Sequence, residues 1–413
     1  MAQGGGFQGV RLAYIGCWFD NDMYSHNCSN LVDSLRASGM QVDVITSNCR
    51  CFSSATKFAI AKDELINTNC DVIAIPHAPR NPGKTKHGLL KYYAVKYLRL
   101  DLWTAVVRGA LYYKKARHAD VICFDQVLEA FGSIPLFILI KLANLTGRRV
   151  VATVHEIDEF QKKHLWLNRL YNKCEAVHVY SENMKAELVS LGVNPEKVIP
   201  MRYGSVIPKK TATERKKYVY FGGHFINRGK GYEQFLNALL LLKSRNVKVE
   251  TIVYVGYGCN GLAEAKALAT EKKLDDIIEW KEFFTDSELA SVYQSSKACI
   301  IPYTGGSARH PVTSAMSNAT PVIATRLADI PEYLGDLGIY VEPTAESIAD
   351  AICRVEKGEY DLVKLGEDLR QKAASEFTFE KLAIEIGARF ARMTGKPTLT
   401  QIEGVELARN AGD

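Results

Sequence analysis

Nothing in this chain of 413 residues is apolar for long. Its longest uninterrupted run, Ile134–Ile140 (IPLFILI), falls far short of the ~20 residues that span a bilayer. No transmembrane helix is expected. The opening MAQGGGFQGVRLAYIG lacks a basic stretch followed by an apolar core, so no secretory leader is expected either. Cysteine is not organised: the ten residues are scattered singly, only Cys49 and Cys51 lie close together, and no pair has metal-ligand spacing. That pattern predicts free thiols in a reducing cytoplasm and no bound metal. The sequons at Asn27, Asn144 and Asn318 are then chance matches. The composition is not that of a disordered chain, with 47% hydrophobic, 24% charged and 10% aromatic residues.

Acid is scarce in one place. Between Arg80 and Arg117 ten basic residues meet a single acid, Asp101, and six aromatic residues (Tyr92, Tyr93, Tyr97, Trp103, Tyr112 and Tyr113) are interleaved with them. Such a segment suits an anionic membrane surface or an anionic acceptor, or is simply a solvated helix face. Nucleic acid is not the partner expected, because no recognition motif accompanies it.

The regular structure is easier to read. Val10–Gly16, Gln41–Thr46, Asp71–Pro76, Asp120–Phe124, Arg149–His155 and Ala176–Ser181 are short apolar runs of strand length separated by helical stretches. Runs of this kind indicate parallel strands covered on both faces. A polar stretch, KKTATERKK, follows Val198–Pro208, and six more such runs come after it, from KYVYFGG to GIYVEP. The first helix of that second series carries an apolar stripe of Tyr232, Phe235, Leu236, Leu239 and Leu240 at helical spacing. An α/β chain of two doubly wound halves joined near residue 205 follows from this alternation.

Two loops in the second half carry anion chemistry. Phe221–Gly231 (FGGHFINRGKG) runs from a strand to a helix, with Gly222 and Gly223 permitting close backbone approach and Arg228 and Lys230 supplying positive charge. Pro302–Glu332 begins after the strand ACIIP with a Gly-Gly-Ser loop and a helix start, which exposes backbone N–H groups at a positive dipole end. Both loops fit a diphosphate.

The second loop also resembles, without a gap, the donor-binding segment of the group 1 family of retaining GT-B glycosyltransferases. Pro302, Pro311, Ala315-Met316, Pro321-Val322-Ile323-Ala324-Thr325 and Ile330-Pro331-Glu332 fall in place. The two glutamates of the family's Glu-x7-Glu signature are Gly306 and Ser314 here. The resemblance implies two Rossmann-like domains facing across a cleft. It divides the chain into an acceptor-binding domain (1–205), a nucleotide-sugar domain (206–376), a helix returning to the first domain (377–393) and a tail (394–413).

As the resemblance implies, Lys230 and Arg228 neutralise a leaving diphosphate, with His224 standing where the family has an arginine. The donor set further comprises Gly222, Gly223, Phe283, Gly305, Gly306, Ser307, Ala308, Arg309, His310, Thr313 and Ser314. Arg309 and His310 add cationic character and suggest an acidic donor sugar. His155, at a strand's carboxyl end, matches the family histidine that faces the reacting sugar. Glu156, Asp158 and, in the loop after the first strand, Asp20, Asp22 and His26 are the acceptor candidates.

The implied reaction is retaining transfer from a nucleotide-diphosphate sugar, a co-substrate and not a cofactor, to a glycan or lipid-linked acceptor. The expected setting is cytoplasmic, with peripheral attachment to the membrane through residues 80–117. The missing glutamates leave two alternatives open: a catalytically silent binding subunit, or an epimerase or phosphorylase of the same architecture. Gly256-Tyr-Gly258-Cys-Asn-Gly261 also satisfies the spacing of a dinucleotide fingerprint, a rival site for a nicotinamide cofactor.

Overall fold

The structure is a computed structural model, and it describes residues 7, 9–16, 22–46, 100–125, 129–157, 162, 165–209, 214–226, 229–283 and 286–396. The chain divides into two compact units, Met1–Met201 with Glu380–Asp413, and Arg202–Phe379.

Unit 1 contains β1 (Arg11–Gly16), α1 (Asp22–Ala37), β2 (Gln41–Thr46), α2 (Leu100–Ala116), β3 (Val121–Asp125), α3 (Glu129–Leu145), β4 (Arg149–Thr153), α4 (Leu165–Tyr171), β5 (Ala176–Val179), α5 (Glu182–Ser190) and β6 (Val198–Pro200). The described strands form one sheet in the order β2-β1-β3-β4-β5-β6, and every pairing is parallel. Residues of β3, β4 and β5 are buried almost without interruption, which is why the sequence reads there as continuous apolar runs rather than alternation. The Asp71–Pro76 strand expectation lies outside the described residues, whereas β6 is a short strand that the apolar pattern alone did not separate from its loop.

Unit 2 contains β7 (Lys217–Phe225), α6 (Tyr232–Ser244), β8 (Thr251–Asn260), α7 (Leu262–Glu271), β9 (Ile278–Phe283), α8 (Asp286–Gln294), β10 (Ser296–Ile301), α9 (Arg309–Ser317), β11 (Val322–Thr325), α10 (Ile330–Leu334), β12 (Ile339–Val341), α11 (Ala345–Glu356) and α12 (Leu362–Glu376). Its sheet has the order β12-β11-β10-β7-β8-β9, again parallel throughout. The α6 stripe is the core face: Tyr232, Phe235, Leu236 and Leu239 are buried in one cluster with Ile348 and Ile352 of α11. Side-chain caps set several helix starts. Ser181 accepts from Met184 N at α5, Thr344 from Ser347 N at α11, and Asp361 from Lys364 N at α12.

A last helix, α13 (Phe379–Thr394), joins unit 1 from Glu380 onward. Its Phe390 ring stacks on His178 of β5 at 6.0 Å between centroids, and Gly387 sits against the Phe7 ring with no room for a Cβ. Among the described residues no helix is long and apolar enough to cross a membrane.

Candidate functional site

In open parallel sheets ligands bind at the carboxyl ends of the strands, where the strand order reverses. In unit 2 that point lies between β7 and β10. The two loops read from the sequence as anion-binding leave the sheet there and lie backbone against backbone. Gly229 O accepts hydrogen bonds from Thr304 N at 2.9 Å and Gly305 N at 3.1 Å. Only glycine permits this approach. Gly229 and Gly231 have φ of 61° and 67°, and a Cβ on Gly231 would lie 1.8 Å from the carbonyl oxygen of Pro302. Gly231 and Ala308, which precede α6 and α9, provide no side-chain cap. The first-turn amides of both helices therefore lack an N-cap side chain, although Ser307 Oγ accepts from Arg309 N at 3.4 Å, and amides at a helix start favour an anion.

Lys230 stands at the tip of the β7–α6 turn. Its ammonium lies 4.0 Å from the centre of the Tyr303 ring, and Nζ is 3.5 Å from Ser307 O. Two phenols pin the surroundings: Tyr220 donates to Lys230 O at 3.0 Å, and Tyr303 donates to Phe221 O at 3.2 Å. Burial pushes both phenols well above their ordinary values, so they remain neutral donors. The sequence reading missed Tyr303, although its place directly after Pro302 at a strand end was a usable signal.

The Pro302 loop differs from expectation in its charges. Arg309 was expected to offer a cation, yet it is buried and its Nη1 lies 2.8 Å from Asp329 Oδ2. Its charge is balanced inside the loop, where Ser307 Oγ also approaches Asp329 Oδ2 at 3.4 Å. Thr313 is buried and turns its hydroxyl back to Arg309 O at 2.9 Å. Ser314 and His310 are half-buried, and His310 meets the Phe221 ring edge to face at 5.9 Å. Gly306 has φ 76° with open space where a side chain would begin. Gly222 and Gly223 are buried within β7. Arg228 lies outside the described residues, and the structure describes only the backbone of His224 and Phe283.

Unit 1 has its own reversal point, between β1 and β3. Asp125 ends β3 as the register partner of Gly16. His155 follows β4, and its Nε2 lies 2.8 Å from Asp125 Oδ1, both side chains being buried. The Tyr180 ring packs on the imidazole at 4.9 Å. Glu156 is exposed beside it. Asp20 and Asp158 lie outside the described residues, and Asp22 and His26 are described as α1 backbone only. Asp125 was missed in the sequence, although a carboxylate closing the buried run VICFD is an unusual placement. The fingerprint-like glycines Gly256 and Gly258 lie within β8, whose strand runs on to Asn260, and of the three glycines Gly261 alone, with φ 82°, stands between strand and helix. Among the described residues no group of acidic, histidine and cysteine side chains could hold a metal ion.

Comparison with known proteins agrees with this layout. Residues 28–200 match the family model described as Glycosyltransferase Family 4, and residues 215–357 match Glycosyl transferases group 1. A curated relative, the MMP alpha-(1->4)-mannosyltransferase of Mycolicibacterium hassiacum, is 26% identical over 170 residues, a match spanning 40% of each protein. Among solved structures, a glycosyltransferase from Rickettsia africae is similar at a TM-score of 0.70 and 15% identity, over 93% of this chain and 98% of that one. Sucrose-phosphate synthase from Thermosynechococcus elongatus gives 0.68 and 16%, over 94% and 99% of the two chains. Anabaena HepE, solved in complex with UDP and glucose, gives 0.67 and 14%, over 93% and 100%. With a family model matched in each of its two units, the chain belongs to the group 1 glycosyltransferases, of GT-B fold.

Proposed function

We propose that this chain moves a sugar, with retention of anomeric configuration, from a nucleotide-diphosphate sugar to a glycan or lipid-linked acceptor in polysaccharide or glycoconjugate synthesis. The observation that carries the reading is the junction in unit 2, where two glycine-containing turns meet through their backbones, each leading into a helix without an N-cap side chain, and the Lys230 ammonium lies over Tyr303. In this reading the amides and Lys230, with Arg228, neutralise the leaving diphosphate. The acceptor hydroxyl attacks on the face the diphosphate leaves, and no protein nucleophile is required. His155 and Glu156 contact the sugars from unit 1, together with Asp20, Asp22, His26 and Asp158. The UDP and UDP-glucose complexes of HepE support a nucleotide donor. An acidic donor sugar is not favoured, since Arg309 already has Asp329 as its counter-ion.

The reading places the enzyme in the cytoplasm against an anionic membrane. Exposed Val107 and Leu111 on α2 lead into exposed Lys114, Lys115 and Arg117, while residues 80–99 of the basic segment lie outside the described residues. Exchanging Lys114 and Lys115 for glutamate should reduce flotation with anionic vesicles. Equal flotation of variant and parent would remove the membrane from the reading.

A thermal-shift screen against UDP-, GDP-, ADP- and CMP-sugars tests the donor. One class should stabilise the protein, and Lys230→Ala should abolish that stabilisation. A shift that survives Lys230→Ala would overturn the assignment. A second reading, a binding subunit without turnover, is favoured by Gly306 and Ser314 standing where the signature glutamates would. It predicts nucleotide-dependent stabilisation without release of nucleoside diphosphate.

A further inference from the structure

The buried pair in unit 1 is not needed to join its strands. β3 and β4 are already paired through five register positions, the last being Asp125 with Thr153. Burying a carboxylate against an imidazole costs more than apolar contact of the same volume would. The pair nevertheless stands where the strand order reverses, with side-chain exposures of 1% for Asp125 and 5% for His155. A carboxylate only accepts, so the Nε2 atom facing Asp125 carries a proton. In the neutral ring the lone pair is then on Nδ1. Tyr180, tilted at 55° to the imidazole, packs against the ring.

Two other titratable groups among the described residues feel the Asp125 charge. His178 of β5, the register partner of Thr153, feels the Asp125 charge but is kept neutral by burial and by Arg389 of α13. The Cys123 thiol on β3 turns to Thr153 Oγ1, at 3.7 Å.

We propose that Asp125 is a positioning residue of the transferase site: it acts through His155, holding the imidazole in one tautomer and one plane where that ring meets the reacting sugar. This rests on the donor and acceptor reading given above. Without Asp125 the ring would lose its fixed proton and its fixed orientation, while nucleotide binding in unit 2 would be untouched.

A double-mutant cycle with a spectroscopic arm tests the idea. Nitrogen-15 NMR of the histidine rings should show His155 protonated on Nε2 in the parent and in Asp125→Asn, whose amide oxygen still accepts. Asp125→Ala should lose that single tautomer. With UDP-glucose as the probe, donor turnover should fall at least tenfold in Asp125→Ala and recover most of the parent rate in Asp125→Asn. On a His155→Ala background, Asp125→Ala should change turnover less than twofold. Stabilisation by UDP should be equal in all variants. An unchanged His155 tautomer in Asp125→Ala overturns the proposal. So does a further tenfold loss on the His155→Ala background, or a lower melting temperature with full turnover. Where Asp125→Ala does not fold, the NMR spectrum and turnover of Asp125→Leu take its place. If UDP stabilises nothing in the parent, the donor reading fails instead, and the NMR arm still decides the role of Asp125.

Discussion

The two units solve one topological problem with opposite materials. Each is a parallel sheet whose strand order reverses once, between β1 and β3 in unit 1 and between β7 and β10 in unit 2. Unit 2 fills that place with backbone: glycines at 229 and 231, two helix starts without an N-cap side chain, and the Lys230 ammonium over a neutral phenol ring. Unit 1 fills it with side chains, a buried Asp125–His155 pair under Tyr180. A dipole-lined backbone surface suits a diphosphate whatever sugar follows it. A fixed imidazole suits a particular hydroxyl. The fold thus supplies the location, and the residues at the strand ends decide what kind of chemistry each location can perform.

The sharpest way to break the contrast is to add a side chain to the unit that works by lacking one. Gly231→Ala forces a Cβ to within 1.8 Å of Pro302 O at a backbone φ of 67°. Left-handed strain and overpacking together should cost about 3 kcal/mol or more. Urea denaturation reads the loss, and a change under about 1 kcal/mol would mean that the two loops are not held as tightly as described. Gly229→Ala, whose Cβ would lie 2.8 Å from Gly305 O, should cost less.

Acid should separate the units next. Among the described residues the buried histidines, His155 and His178, both belong to unit 1. Burial, aided by Arg389, lowers His178 to about 3 from its ordinary 6.5. The unfolded chain therefore binds a proton below pH 6.5 that the folded chain refuses, so stability is complete above that value and falls as the pH drops toward 3. The loss should reach about 2 kcal/mol by pH 5. His178→Leu should flatten this part of the pH–stability curve. A variant as acid-sensitive as the parent would show that another group governs unit 1.

The same contrast explains what the sequence could disclose. Strands and helices were legible in both units because burial on both faces writes them as apolar runs and stripes, as in β3, β10 and α6. The unit 2 loops were legible because glycine and lysine between a strand and a helix have few other uses. In unit 1 the sequence marked His155 at its strand end but not its partner, since Asp125 and His155 are thirty positions apart and meet only across adjacent strands. The ion pair of Arg309 was hidden for a related reason: its partner, Asp329, lies on the far side of β11.

The smallest effect is the most discriminating for unit 2. Tyr303 does two things: its hydroxyl ties the β7 turn at Phe221 O, and its ring lies under Lys230. Tyr303→Phe keeps the ring and leaves a buried carbonyl without that donor, which should cost about 1 kcal/mol of stability with nucleotide binding unchanged. Tyr303→Leu also removes the face that holds the ammonium. A cation–π contact contributes roughly 0.5–2 kcal/mol, so nucleotide affinity, read by titration calorimetry, should fall about twofold to thirtyfold. If Phe and Leu weaken binding equally, the ring does not position Lys230. The phenol would then act only by bracing the turn, and unit 2 would rely on backbone geometry even more completely than the Lys230 contact suggests.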